Sequence, residues 1–536
     1  ARGLTTRAAR QAFLQPDYMA VKHNPFLLPD MKKAVARLKR AREQGEKIVI
    51  YGDYDIDGLS ATALLLDAFG KFGFEDVDAF IPNRFVEGYG MTMGAVDKVR
   101  DMGADLIVTV DTGSLCHAEI AYAASLGIDT VVTDHHNVAE TPPPSVAAVN
   151  PKFPGHTYPF RDLCGAGVAF KLVQALQTEL DGLPDGYEKW LLDLVALGTV
   201  CDIVTLADEN RANVYWGLEV LKKQQRPGLK ALMTVAGIEP ERVNARHLGF
   251  GLGPRMNAAG RLETAQHALD MLVARDGLAA LEASEKLEEL NVKRRIIQDA
   301  IFEEACVQAE QLADDRVLVV SSDGWNHGVI GIVASKLVEK YKKPVFIIGE
   351  RGEEATGSAR SFGDFSAADA VRAADDIIIK GGGHGAAAGV TLGTEKIGDF
   401  RRRVNEFYDS LQLTSQERYL LPRADVEIDD FSEIDEELAA NLAKMEPFGN
   451  GNPEPVLKIT RASVLSMRRM GADGQHVKLA LRDKNGKVLQ MLAFNAPEEF
   501  FREPGDEVVA WFQPTVNEWQ GVRTVEGRLL HIILLD

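Results

Sequence analysis

Residues 47–51, 77–81, 105–110 and 129–133 are four short runs rich in β-branched residues, with helical patterns between them. This alternation constrains the fold more than any other feature, because strand–helix repeats at this spacing assemble as a parallel sheet with helices on both faces. Ligands of such sheets gather outside the carboxyl ends of the strands. Residues just after each run are therefore the first candidates for chemistry. Pro142-Pro143-Pro144 marks a loop before a further run at 146–149, and helical patterns follow near 165–181 and 186–200.

The strand ends carry acids. Asp53-Tyr-Asp-Ile-Asp-Gly58 follows the first run and precedes a helix, Asp111 ends the third, and Asp134-His135-His136 ends the fourth. One aspartate there would be a helix cap among solvated acids. Three at alternate positions, Asp53, Asp55 and Asp57, cannot all stay ionised in a partly buried turn unless cations neutralise them. Cys201-Asp202, after an apolar helix, supplies another acid that could reach the same crevice. Mixed carboxylate and imidazole ligation suits Mn2+ better than Mg2+, though either fits. Two such ions about 3.5–4 Å apart form a standard apparatus for phosphate-ester hydrolysis. Competing chemistries lack their signatures: there is no Gly-x-x-x-x-Gly-Lys-Ser/Thr loop, no His-Glu-x-x-His and no Gly-x-Ser-x-Gly elbow.

Beyond this sheet the chain changes character three times. Residues 278–313 contain no Pro or Gly and read as one helix about 50 Å long, a connector rather than part of either core. A second, smaller α/β pattern runs from a strand at 317–321 through a helix at 328–341 and a strand at 344–348 to the glycine run Gly381-Gly-Gly-His-Gly385. After residue 421 come a helix at 431–445 and five alternating runs at 456–465, 476–482, 487–494, 507–512 and 522–533, with the hairpin turn Asp483-Lys-Asn-Gly486. Five short antiparallel strands predict an OB-like barrel, whose groove often takes single-stranded nucleic acid; an SH3-like barrel would leave nearly the same pattern. The expected organisation is an N-terminal extension (1–45), a catalytic α/β domain (46–275), the long helix (276–314), a substrate-binding α/β domain (315–415) and the barrel (421–536).

A chain of 536 residues accommodates several cores. Its net charge of −19 argues against indiscriminate polyanion binding, since phosphate affinity comes from clustered Lys and Arg. Lys293-Arg294-Arg295, Arg401-Arg402-Arg403 and Arg468-Arg469 could still line a groove, although such runs are usually solvated helix faces. The four cysteines are far apart, which indicates neither a zinc site nor a disulfide framework. No secretory signal or membrane span is evident, so a cytoplasmic location is expected. The chain begins at Ala1 without an initiator Met and reads as a fragment or processed form.

Gly52-Asp-Tyr-Asp-Ile-Asp-Gly58, Val110-Asp-Thr-Gly113, Asp134-His-His136 and Ala196-Leu-Gly-Thr-Val-Cys-Asp202 resemble the four motifs of the DHH phosphoesterase superfamily. Gly253-Pro-Arg-Met-Asn-Ala-Ala-Gly-Arg261, Gly328-Val-Ile-Gly-Ile-Val-Ala-Ser335, Gly357-Ser-Ala-Arg-Ser361, Gly381-Gly-Gly-His384 and Pro447-Phe-Gly-Asn-Gly-Asn-Pro-Glu-Pro455 narrow the resemblance to the RecJ family, from about residue 45 to the end. It implies a single-strand-specific 5′→3′ DNA exonuclease that releases 5′-mononucleotides and serves repair and recombination.

By that resemblance, Asp53, Asp55 and Asp111 would hold one divalent ion and Asp57, Asp111, His135 and Asp202 a second, with Asp111 as the bridge. His136 would contact the scissile phosphate, and His384 would help close the site. Arg255, Asn257 and Arg261 would bind the backbone, with Gly382 and Gly383 also at the substrate. Arg84, Ser358 and Arg360 resemble a pocket for a terminal 5′-phosphate, and Tyr89 a stacking platform. The implied partners are single-stranded DNA, a single-strand-binding protein and a DNA helicase. Other DHH enzymes, such as pyrophosphatases and phosphodiesterases of short oligonucleotides, generally lack the barrel. A catalytically dead DNA-binding scaffold on the same fold would be expected to have lost its carboxylates, and here all are present.

Overall fold

The computed structural model describes residues 2–88, 90–413, 416–519 and 521–535. The chain divides into two compact units. One comprises residues 16–413 with Gly449–Gly451; the other comprises the N-terminal residues through Gln15, the segment ending at Phe448 and the segment from Asn452 onward.

In the larger unit the expected parallel sheet is present. Its strands are β1 (Ile48–Gly52), β2 (Val77–Phe80), β3 (Leu106–Val110), β4 (Asp129–Thr133) and β5 (Ala147–Val149), all parallel in the order β2-β1-β3-β4-β5. Ile48 and Ile50 enter one hydrophobic core while Val49 and Tyr51 enter another, and Leu106, Val108 and Ile107 divide in the same way. The two-residue period thus feeds a core on each face, and each such Val or Ile contributes about 1.5–3 kcal/mol of burial. The chain leaves β1 for β2 on one side and returns to β3 on the other. A crevice consequently opens between the carboxyl ends of β1 and β3, the switch point at which doubly wound sheets bind ligands.

The predicted long helix spans Gly277–Gln311. Its buried side chains form one stripe at alternating spacings of three and four, through Ala280, Ser284, Leu287, Asn291, Arg294, Gln298, Ile301 and Ala305. The helix does connect, but contrary to expectation it is also part of both cores: Leu287 and Leu290 pack in the core of the first sheet, and Ile301, Ala305 and Ala309 pack beneath the second, because its apolar positions recur on one face. That second sheet contains β6 (Leu318–Asp323), β7 (Val345–Arg351), β8 (Glu354–Arg360), β9 (Lys380–His384) and β10 (Ala387–Gly393) in the order β6-β7-β8-β10-β9. Only β6 and β7 are parallel; the other pairs are antiparallel.

In the other unit β11 (Val426–Ile428), β12 (Leu457–Met470), β13 (His476–Arg482), β14 (Val488–Ala493), β15 (Glu507–Trp519) and β16 (Val522–Leu534) form one sheet, closed into a barrel by pairing of β12 with β15. The OB-like expectation holds with two corrections. Strands β12, β15 and β16 are 14, 13 and 13 residues long rather than short. The barrel is also not wholly antiparallel: closure sets β14 beside β16, skipping β15, and that pair is parallel. The expected helix at 431–445 is shorter, Glu436–Ala443. No helix among the described residues is long and apolar enough to cross a membrane.

Candidate metal centre and anion pocket

Asp53 directly follows β1, and the next turn places Asp55 as the N-cap of the helix Ile56–Phe72, with Asp57 in its first turn. Asp55 Oδ1 accepts from the backbone N–H groups of Asp57 (2.8 Å) and Gly58 (3.2 Å). The ordinary capping role and a place in the acidic cluster therefore belong to the same residue. Asp57 accepts from the N–H groups of Gly165 (2.5 Å) and Ala166 (2.9 Å), at the start of the helix Gly165–Leu176. That positive helix end holds one carboxylate in place by its exposed donors.

Asp111 follows β3 with φ of 61°, the left-handed region, and its N–H donates to the Thr133 carbonyl (3.0 Å). Ile203, immediately after Asp202, also sits at positive φ (60°), and as a β-branched residue it carries strain of about 1–3 kcal/mol. Such strain marks positions that the surroundings over-determine. His135 Nε2 lies 3.0 Å from Asp111 Oδ1, 3.6 Å from Asp202 Oδ2 and 3.8 Å from Asp57 Oδ2.

Three groups result, each with ligand atoms mutually within 4.8 Å: Asp53, Asp55 and Asp111; Asp57, His135 and Asp202; and Asp111, His135 and His136. Asp53 Oδ1, Asp111 Oδ1 and His135 Nε2 are buried and make no hydrogen bond, even though the last two are close together. Each such buried atom left unpaired would cost about 1–3 kcal/mol. Atoms aimed at a common centre rather than at one another are what a cation site presents, so these residues fit divalent ions.

The electrostatics agree. Burial, then Asp55, pushes Asp53 up to about 7 and Asp57 up to about 6. Burial, then Asp57, raises Asp202 to about 8, and burial, then Asp57 with three further aspartates, raises Asp111 well above its ordinary value. Burial, then neighbouring His136, drives His135 down to about 4, so its imidazole is neutral and free to ligate. Asp134 stands apart from the metal groups. Despite complete burial it is held below the usual carboxylate range by His136 and by backbone N–H donors, including those of Ser114 (2.9 Å) and His136 (3.1 Å). His136 Nδ1 lies 2.9 Å from Asp134 Oδ1; this pairing outweighs burial and raises His136 to about 9. A cationic, half-exposed imidazole therefore faces the crevice.

A cluster of arginines adjoins the carboxylates. Arg84 lies over the Tyr54 ring (4.7 Å), donates to its hydroxyl (3.1 Å) and lowers the pKa of Asp53. Burial, then Arg84, Arg294 and Arg360, depresses Arg261 to about 10, which places four guanidiniums together. Arg360 donates to Ser358 Oγ (3.2 Å) and to the Ala359 carbonyl (2.8 Å). Among the described residues no carboxylate pairs with it; burial alone lowers its pKa. Arg261 donates to the Gly328 carbonyl (2.7 Å). Arg84, Arg261 and Arg360 make no ion pair among the described residues, and desolvated guanidiniums of this kind suit an anion.

The remaining candidates are more dispersed. Arg255 is ion-paired with Glu288 (2.5 Å) and donates to the Gly251 carbonyl (2.7 Å), so part of its guanidinium is already engaged. Asn257 is half-buried on the helix Gly253–Leu262. Gly382, Gly383 and His384 lie on the exposed strand β9, and no hydrogen bond or ion pair joins His384 to the carboxylates. Tyr89 lies outside the described residues. The sequence offers Arg294 only as part of a run that could line a groove, not as an individual site residue. That run is the only available signal, but Arg294 is buried and fixed by Gln298 (2.7 Å) and Asn291 (2.6 Å). By contrast, Arg402 and Arg403 are paired with Asp399 and Asp376, and Arg469 with Glu498.

Residues 47–199 match the model of the DHH family, N-terminal domain; residues 314–410 match the DHHA1 domain and residues 424–531 the RecJ OB domain. The single-stranded-DNA-specific exonuclease RecJ of Salmonella typhimurium is 34% identical over 93% of this chain and 89% of its own length. That of Bacillus subtilis is 39% identical over 97% of this chain, which spans 65% of that relative's length. The crystal structure of RecJ in complex with Mn2+ from Thermus thermophilus superposes with a TM-score of 0.81 at 31% identity, covering 98% of this chain and 74% of that one.

Proposed function

The chain belongs to the family of RecJ single-stranded-DNA-specific exonucleases, and from that membership we propose that it hydrolyses single-stranded DNA from the 5′ end with two divalent ions, releasing 5′-mononucleotides in DNA repair and recombination. The observation that carries this reading is the juxtaposition of two features. One is a carboxylate–imidazole cluster in which Asp53 Oδ1, Asp111 Oδ1 and His135 Nε2 lack hydrogen-bond partners; the other is the group of Arg84, Arg261 and Arg360, none of them ion-paired among the described residues.

Asp53, Asp55 and Asp111 would hold one ion and Asp57, Asp111, His135 and Asp202 the other, with Asp111 common to both. Mn2+ is the favoured ion and Mg2+ the alternative, in line with the mixed donors. When bound, the ions supply positive charge to the phosphoryl oxygens and acidify water for attack. The protein's own groups do the positioning. His136, kept protonated by Asp134, offers an N–H to the scissile phosphate. Arg84, Ser358 and Arg360 receive the terminal 5′-phosphate, Arg255, Asn257 and Arg261 hold the backbone, Gly382 and Gly383 let it approach β9 closely, and His384 helps close the site. Tyr89 serves as the stacking platform. Fixing the strand at its end places the first diester bond in the crevice, which sets polarity by geometry.

In this reading residues 46–275 carry catalysis, 276–314 connect, 315–415 bind substrate and 421–536 hold single strands by charge and stacking. A cytoplasmic location, a single-strand-binding protein and a helicase as partners complete the proposal. The test is to incubate the protein with 5′-labelled and 3′-labelled single strands, with and without Mn2+. Early release of the 5′ label alone, abolished by chelation, is expected. Early release of the 3′ label, or undiminished cleavage after chelation, refutes it.

A further inference from the structure

The motif Pro447-Phe-Gly-Asn-Gly-Asn-Pro-Glu-Pro455 has no part in the chemistry above. Its central residues Gly449–Gly451 cluster with the larger unit, although the residues on either side in the chain belong to the other. These three meet the turn that follows Asp202. Asn450 Nδ2 donates to the Ile203 carbonyl (2.8 Å), and the Leu206 N–H donates to the Asn450 carbonyl (2.8 Å). Asn450 therefore grips both ends of residues 203–206 from a position 247 residues away from Ile203 in sequence.

The flanking glycines make the grip possible. A Cβ on Gly449 would stand 2.7 Å from Leu206 Cδ1, and one on Gly451 would stand 2.4 Å from Thr205 Cγ2, where φ is also +73°. Only a backbone without side chains comes this close to the turn. What it holds needs holding: Ile203 is β-branched, left-handed and 69% exposed, so little side-chain packing fixes its backbone. Asp202 is the C-cap of the helix Leu192–Cys201, and its carboxylate reaches His135 Nε2 at 3.6 Å. The direction in which this carboxylate points depends on the turn that leaves it.

We propose that Asn450, presented between Gly449 and Gly451, is a positioning residue for Asp202: it clasps the strained 203–206 turn and so orients one ligand of the second metal group. This rests on the metal assignment above. Partners of this kind, one step removed from a metal, typically govern affinity by about 10–100-fold.

The test uses the full chain carrying Asn450→Ala, and separately the isosteric Asn450→Asp, whose added oxygen would face the Ile203 carbonyl. Mn2+ titration followed by calorimetry and electron paramagnetic resonance should show one of two binding steps weakened about tenfold and the other unchanged. With saturating single strands kcat should fall while KM holds, because the arginines are untouched. Adding Ile203→Gly, which removes the left-handed penalty, should restore much of the lost affinity. Wild-type Mn2+ affinity in both single variants overturns the proposal. So does an equal weakening of both steps accompanied by a lower melting temperature, or a failure of Ile203→Gly to restore any affinity. Since the titration needs no substrate, a wild-type protein that binds two ions yet leaves single strands intact would refute the exonuclease reading while the clasp remained measurable.

Discussion

Replacing Gly165 by Ala alters no metal ligand and no charge, yet it should disable the site. An added Cβ would stand 2.6 Å from Asp111 Cβ, 2.7 Å from Asp111 Oδ1 and 2.8 Å from Asp111 Cγ. Ordinary contact between such atoms is about 3.5–4.0 Å, so the bridging carboxylate or the start of the helix must move by about 1 Å. A displacement of that size costs about 10²-fold in rate. Folding should suffer much less, since overpacking costs about 1–3 kcal/mol. The Gly165 N–H also donates to Asp57, so the second ligand group shifts with the first. Initial rates on 5′-phosphorylated single strands, together with thermal melts with and without Mn2+, separate the two effects. A loss of about a hundredfold in rate, with a nearly unchanged metal-free melt and a diminished Mn2+ response, is expected. Activity within about threefold of wild type with full Mn2+ stabilisation would show that Asp111 tolerates the displacement, refuting the steric reasoning.

Asp111→Ala removes the carboxylate shared by two of the ligand groups and should abolish hydrolysis and metal retention in a folded protein; near-normal turnover with normal metal content would contradict the shared-ligand assignment. Arg360→Ala should slow digestion of 5′-phosphorylated strands about tenfold or more while sparing 5′-hydroxyl strands, since a charged hydrogen bond contributes roughly 1.5–3 kcal/mol. Equal loss on both substrates would remove Arg360 from the terminal-phosphate pocket. The metal-free protein should lose stability as pH rises: with Asp53 at about 7 and Asp202 at about 8, against an ordinary 3.8, the folded state holds protons that the unfolded chain has released. Melting curves across that window should slope downward with pH in chelator and flatten in Mn2+, and identical slopes would count against cation replacement of those protons.

The first sheet was legible because β1 and β3 bury both faces and so appear as unbroken apolar runs, each followed by an acid. The second sheet was only half legible. Glu354–Arg360 and Ala387–Gly393 are rich in Gly and Ala, with little β-branched character, and became β8 and β10 through pairing with each other and with β7 and β9. Pairing of β14 with β16 has no local signature either, since barrel closure creates it. Within the site, Asp53, Asp111 and His135 could be read from strand-end position alone. Arg294 could not, because only packing against distant segments turns a basic helical run inward. Asp55, read as a choice between capping and metal binding, is the N-cap and also lies in one of the candidate ligand groups.

The helix Gly277–Gln311 carries the half-buried Glu288, paired with Arg255, beside a buried stripe that includes Arg294, within the arginine cluster, and passes from one core to the next. Successive residues of an α-helix are offset by about 100° and 1.5 Å. One residue inserted between Glu288 and Arg294 would turn everything downstream away from its seat, taking Ile301 and Ala305 out of the second core and Arg294 out of the pocket. Four inserted residues would restore the phase to within about 40° but lengthen the rod by about 6 Å. The spacing along this helix is thus a ruler: its exposed positions can drift in identity, but its residue count cannot change without separating the guanidiniums from the carboxylates they serve.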